Sequence, residues 1–265
     1  MIIPIGIANS VSANFGYDIF DSLKYKELSN FDLIQIYLSK DILKNEDTLK
    51  KLHDYLCKID IKKVFFHAEG FLNGEFLQSD YANCLFDFII RFEGSKLILH
   101  FDEKAQLEEL LEIISELSEK ESKLYLENFF QLTGKINAEK NIRKYLALFT
   151  LANSQQLHLF PVIDIPRFFN ASLQFKTEEA LQWCFELLNY FGNKGIPILL
   201  HLIDAMKSTQ ERNTYCRIGE GYIPYNKILQ FMLKTRTPIE GIILEFEDKL
   251  NPLKSRDYLN SILSK

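Results

Sequence analysis

The stretch IPILLHLIDAMKS, residues 196–208, decides how the rest of the chain is read. Ile196 to Leu200 is a short apolar run rich in β-branched residues, the pattern of a strand buried on both faces. The run stops at His201, and a carboxylate, Asp204, follows three residues later. One such ending means little, because a lone histidine at a strand end is usually a hydrogen-bonded residue of no chemical consequence. Repetition of the same ending along the chain is what gives it weight.

Seven further apolar runs occur at fairly even spacing: IIPIGIA (2–8), FDLIQIYL (31–38), VFFHA (64–68), KLILHF (96–101), KLYLEN (123–128), HLFPVIDI (158–165) and EGIILEF (240–246). Amphipathic segments lie between them. Residues 46–60 place Leu49, Leu52, Tyr55 and Leu56 on one helical face, and residues 103–120 do the same with Leu107, Leu110, Leu111, Ile114 and Leu117. Residues 177–191 open with Thr177 and two acids, a helix-start signal, and helical patterns recur at 225–235 and 255–265. Residues 17–28 carry the faintest pattern of this kind. Eight strands alternating with helices predict an α/β fold, a single (β/α)8 TIM barrel over residues 1–265. The length of 265 residues matches the roughly 250 typical of that architecture. A doubly wound open sheet is the alternative, but GIANSVSANFG after the first strand is not the glycine-rich turn such sheets usually open with.

The composition is that of an ordinary globular chain, 47% hydrophobic and 25% charged. A net charge of −5 gives no overall attraction to nucleic acid, although it leaves room for a local basic groove. Cys57, Cys84, Cys184 and Cys216 are scattered without a C-x-x-C pair, so neither a disulfide framework nor a zinc ribbon is expected. MIIPIGIANS lacks a basic segment before its apolar run, and no run of 18 apolar residues occurs, so the expectation is a cytoplasmic protein with no membrane partner.

The third to eighth strands each bring one metal-capable side chain to or near the carboxyl end: His67, His100, Glu127, Asp164, His201 and Glu245. In a closed barrel these ends converge on one mouth, where active sites sit. Imidazole nitrogen and carboxylate oxygen are zinc ligands, and the carboxylates also suit Mn²⁺ or Mg²⁺. Taken singly, the acids read equally well as surface groups paired with lysine or arginine. His53, in the polar pattern of a helix, and His158, at the start of a strand, are expected to be structural. Beyond His201 come Lys207, Arg212 and Arg217 and then Gly219-Glu220-Gly221, a turn whose backbone N–H groups are able to face an anion. The same charges also suit a plain solvated loop.

The stretches HAEGFLN, LYLENF, VIDIP, HLIDAMKS with IGEG, and IILEFE together resemble the endonuclease IV family within the xylose isomerase-like barrels. The resemblance runs in order through nearly the whole chain. It implies a zinc-dependent endonuclease acting at abasic sites in damaged duplex DNA. It implies a first metal site of His67, His100 and Glu127, and a second of Asp164, His201 and Glu245 bridged through Glu127. The family's third zinc site is altered. Its D-x-x-H reads Asp164-Ile165-Pro166-Arg167 here, and its D-x-H reads Asn213-Thr214-Tyr215. Two zinc ions are therefore expected, with Glu127 near the attacking hydroxide and Arg167 holding a phosphate oxygen. Phe71, with Leu72 beside it, is expected to fill the gap left by a flipped nucleotide, and Lys207, Arg217, Gly219 and Gly221 to contact substrate.

Sugar isomerases and epimerases of the same superfamily are the alternative. The resemblance then implies one Mn²⁺ or Mg²⁺ ion on Glu127, Asp164, His201 and Glu245, a small sugar as partner, His67 and His100 on its hydroxyls, and Arg217 near it. A barrel that has lost catalysis and works by binding is the third reading.

Overall fold

The computed structural model describes residues 3–15, 18–119, 122–206 and 214–263. In chain order it runs β1 (Ile5–Ala8), α1 (Ile19–Leu28), β2 (Leu33–Leu38), α2 (Lys40–Leu43), α3 (Glu46–Leu56), β3 (Val64–Leu72), α4 (Gly74–Leu77), α5 (Asp80–Ile89), β4 (Lys96–Phe101) and α6 (Leu107–Ser118). It continues through β5 (Lys123–Glu127), α7 (Lys135–Ser154), β6 (Leu159–Asp164), α8 (Ile165–Phe168), α9 (Thr177–Asn193), β7 (Ile198–Leu202), β8 (Asp204–Ala205), β9 (Tyr215–Cys216), α10 (Tyr225–Thr235), β10 (Ile239–Leu244) and α11 (Asn251–Leu263). The strands β1-β10-β7-β6-β5-β4-β3-β2 close into an all-parallel barrel, as the alternating pattern predicts. The short antiparallel pair β8–β9 stands apart from the barrel.

Each helix buries one stripe on the barrel wall. In α6 the buried residues are Leu110, Ile113, Ile114 and Leu117, three and four apart. Ser79 and Asn45 cap α5 and α3 through hydrogen bonds to the N–H groups of Ala82 and Thr48. The segment with the faintest helical pattern does form α1, capped by Asp18. Two long helices, α5 and α7, and the single-turn helices α2, α4 and α8 are absent from the sequence reading. No helix among the described residues is long and apolar enough to cross a membrane.

The barrel has two cores. The larger lies between strands and helices. The second fills the lumen with one residue from each strand: Ala8, Leu33, Phe65, Ile98, Tyr125, Val162, Leu199 and Ile243. Side chains alternate across a strand, so a residue two positions further on points inward again. Two beyond Phe65, Ile98, Tyr125, Val162, Leu199 and Ile243 stand His67, His100, Glu127, Asp164, His201 and Glu245. The polar groups thus rest as a layer on an apolar plug. β3 runs on past His67 to Leu72, with a register shift against β4 between His67 and Phe71, so His67 lies within its strand rather than at its end.

The opposite end of the lumen is closed by a charged pair. Lys96 Nζ donates to Glu240 Oε1 at 2.7 Å and to the Lys62 carbonyl at 2.7 Å, and sits 4.2 Å from the Phe65 ring centre. Tyr125 donates to Glu240 Oε2 at 2.6 Å. Leu33 reaches across the plug only because β1 and β10 offer glycines there. A Cβ on Gly6 would lie 2.4 Å from Leu33 Cβ and 2.6 Å from its carbonyl oxygen. Gly6→Ala is expected to lower stability to chemical denaturation by at least ~1–3 kcal/mol. Leu33→Ala is not expected to rescue it, because the clash includes backbone; full stability of the Gly6→Ala protein would count against this packing.

Candidate active site

All six predicted strand residues meet at one mouth. Glu127, 2% exposed, is the hub. Its Oε2 lies 3.0 Å from His67 Nε2, 3.7 Å from His100 Nε2 and 3.2 Å from His201 Nδ1. His201 Nδ1 is also 3.2 Å from Glu245 Oε1. Candidate ligand atoms of His67, His100 and Glu127 all lie within 4.8 Å of one another. Asp164 faces the same space, but its Oδ2 accepts from Arg167 Nε at 2.8 Å. Arg167, the first basic residue after β6, lies in α8. Its guanidinium carbon is 3.8 Å from the Phe129 ring centre, and its Nη2 is 4.0 Å from Glu127 Oε1.

Three observations show that these residues fit a divalent cation. First, the separations of 3.0 to 3.7 Å bracket the spacing of about 3.3 Å between ligand atoms around a tetrahedral ion with bonds of about 2.0–2.1 Å. Second, His67 Nδ1 lies 2.9 Å from the Ala68 carbonyl, which only accepts, so Nδ1 carries the proton and Nε2 is turned toward Glu127. Third, His201 is fully buried, and neither ring nitrogen makes a hydrogen bond with the described residues, despite two carboxylates 3.2 Å from Nδ1. A buried imidazole in that state is costly unless something else binds it.

Electrostatics divide the groups. Burial pushes the His100 imidazole down to about 3, outweighing the pull of Glu127. Burial works against a proton on His201 too, but Glu245 and Glu127 overcome it and raise the ring to about 9. Burial would raise Glu127, yet the imidazoles of His201 and His100 hold it well below the usual carboxylate range. Burial lifts Asp164 to about 7 against the opposing charge of Arg167.

Residues not foreseen in the sequence complete the arrangement. Asn128 grips the backbone of Asp164 from both sides, accepting from its N–H at 2.7 Å and donating to its carbonyl at 3.2 Å. Gln35 Nε2 donates to Glu245 Oε1 at 2.9 Å. Tyr37 lies beside His67, ring centres 5.8 Å apart. The signal for Gln35 and Tyr37 was available: both lie on the inward parity of β2, two and four residues beyond Leu33.

Several expected substrate contacts are otherwise engaged. The N–H groups of Gly219 and Gly221 each donate to Asp204 Oδ2 at 3.0 Å, so this turn binds an internal carboxylate instead of facing an external anion. Arg217 pairs with Glu220 at 2.7 Å. Phe71 packs between His100 and Phe129, with ring centres 5.5 and 5.3 Å away, and Leu72 is buried in the core. Neither is the free wedge expected for a flipped nucleotide. Lys207, Arg212 and Asn213 lie outside the described residues. His53 stands on α3 beside Phe92, and His158 lines a small cavity with Gly195 and Pro197 at the amino end of the barrel, both away from the site as expected.

No protein-family model and no curated protein matches the chain. Solved structures do. The crystal structure of AsfvAP:AG is 18% identical, with 98% of this chain and 99% of that chain covered and a TM-score of 0.58. The IolI protein with a bound zinc atom is 13% identical over 99% and 98% of the two chains, with a TM-score of 0.64. D-psicose 3-epimerase, solved in the presence of D-fructose, is 12% identical over 99% and 100%, with a TM-score of 0.55. The likeness establishes the fold as that of the xylose isomerase-like TIM barrels.

Cation binding has a defined pH dependence. A proton on His201, held up to about pH 9, competes with the cation. Affinity for Zn²⁺ or Mn²⁺, read by calorimetry, is expected to rise by roughly tenfold per pH unit between pH 6 and 8, with proton release on binding. Affinity independent of pH would show that His201 is not a ligand.

Proposed function

We propose that the protein is a metal-dependent isomerase or epimerase of a small, neutral sugar. The observation that carries this reading is His201, a fully buried imidazole whose Nδ1 is flanked at 3.2 Å by two carboxylates, Glu127 and Glu245, and whose Nε2 meets no partner among the described residues. Beside it opens a cavity of about 700 Å³. Among the described residues its walls carry Asn9, Ser10, Gln35, Tyr37 and Ser39, the imidazoles of His67 and His100, and the carboxylates of Asp41, Glu245 and Glu247. Neutral hydroxyls suit such a lining. The phosphates of a duplex would meet carboxylates there. Zinc-bound IolI and D-psicose 3-epimerase share the fold, which supports the reading without deciding it.

A divalent cation held by Glu127, Asp164, His201 and Glu245 would supply the polarisation of the substrate carbonyl. The remaining work falls to the chain. One of Glu127 and Glu245 takes the proton from the carbon beside the carbonyl, and the carboxyl group so formed returns it to the carbon skeleton. His67 and His100 meet substrate hydroxyls. Arg167 balances the charge of Asp164, and Asn128 holds that residue in place.

A second reading rests on the compact cluster of His67, His100 and Glu127. If that cluster holds a cation of its own, the site is suited to two-metal phosphodiester hydrolysis, with Arg167 on a phosphate oxygen.

The test is proton exchange. Protein loaded with Mn²⁺ or Zn²⁺ is incubated with a panel of ketohexoses and pentuloses in D2O, and NMR reads deuterium at the carbon beside the carbonyl. Exchange is expected in the wild type and should fall by at least ~100-fold in Glu245→Gln. Cleavage of abasic duplex DNA without any sugar exchange would favour the second reading.

A further inference from the structure

Gln35 has no role in the chemistry described so far, and its position is unusual. It is 3% exposed, in the middle of β2, with its backbone paired in register to Ala8 on one side and Phe65 on the other. Its side chain stands on the inward face directly above Leu33 of the apolar plug. Its amide N–H reaches Glu245 Oε1 at 2.9 Å. Because a carboxylate ionised at this position only accepts, this bond orients the amide: Nε2 faces Glu245, and Oε1 turns the other way. No donor among the described residues meets that Oε1, which is buried.

A buried carbonyl oxygen without a donor opposes folding. An apolar side chain of the same length would fill the position at less cost, since the plug beneath is entirely apolar. Stability therefore does not account for glutamine here, whereas Glu245 does. Its Oε1 also lies 3.2 Å from His201 Nδ1, so a hydrogen bond to that oxygen fixes where the carboxylate stands relative to the imidazole.

We propose that Gln35 is a positioning residue: its amide N–H sets the pose of the Glu245 carboxylate beside His201, and the fold tolerates an unbonded carbonyl oxygen as the consequence. The proposal rests on the reading that Glu245 belongs to a metal-binding site. As a positioning residue in the cavity wall, Gln35 acts through Glu245.

The test uses Gln35→Met, close in size and without a donor, with Gln35→Leu as a second variant. Thermal unfolding of metal-free protein is expected at or above the wild-type temperature for both. Affinity for Mn²⁺, read by the EPR signal of the free ion, is expected to fall by about 10–100-fold, the range for outer partners of metal ligands. In a Glu245→Gln background, Gln35→Met is expected to change Mn²⁺ affinity by less than about twofold, because the coupled partner is already gone. Full additivity in that cycle would overturn the proposal. So would a large drop in unfolding temperature with Mn²⁺ affinity intact, or failure of both variants to fold, since each marks a structural role. If the wild type binds Mn²⁺ and both Gln35 variants bind it equally well, this inference falls and the metal reading stands. If the wild type binds none of Mn²⁺, Zn²⁺ and Co²⁺, both fall together.

Discussion

A carboxylate sealed inside the barrel mouth with three imidazole nitrogens within 3.7 Å of one of its oxygens is the constraint on which the site turns. Burial alone would protonate Glu127. Ringed by His67, His100 and His201, it remains an anion, and the histidines must then arrange themselves around it. His100 stays neutral, His67 is fixed through the Ala68 carbonyl, and His201 lies between two acids. Two positive charges hold this assembly together in the metal-free molecule: the protonated ring of His201 between its two acids, and Arg167. That arginine is tied to Asp164 and stacked on Phe129, 4.0 Å from the nearest oxygen of Glu127. A divalent cation would take over the place of the proton on His201.

Most of the architecture was legible in the sequence because buried parallel strands are apolar on both faces and stand out as short uninterrupted runs. All eight barrel strands overlap those runs, and only the far end of β3, the first residue of β10 and the last residues of β7 lie outside them. The six mouth residues were legible for a related reason, since each interrupts or follows a stretch of at least three consecutive apolar residues. What escaped notice was internal to that logic. Gln35 sits inside an apolar strand and looks like a minor irregularity until the parity of β2 places it on the inward face. Helix α7 was passed over because its faces do not divide cleanly. In α5, by contrast, Tyr81, Ala82, Leu85, Phe86 and Ile89 are buried at helical spacing, so that helix was readable and was missed.

The glycine-rich turn shows where reading by composition misleads. Two glycines with free N–H groups suggest an anion site, and the structure does place an anion there, but it is the chain's own Asp204. Asp204 lies three residues from His201, close enough in sequence to be taken for part of the chemistry and pointing away from it in space. A carboxylate that satisfies backbone N–H groups and one that awaits a cation look alike in a sequence. Only the donors around them differ.

The lock made by Asp204 also fixes the rim beside His201. Ala205 and Tyr215 pair across the antiparallel strands β8 and β9, and Gly221 approaches Asp204 so closely that a Cβ there would lie 2.0 Å from Oδ1. The chain thus leaves the rim and returns to it through a fastened gateway. Because that gateway is closed by the chain's own carboxylate, the backbone that leaves β7 just after His201 is held at a fixed exit, and the imidazole inherits that fixity.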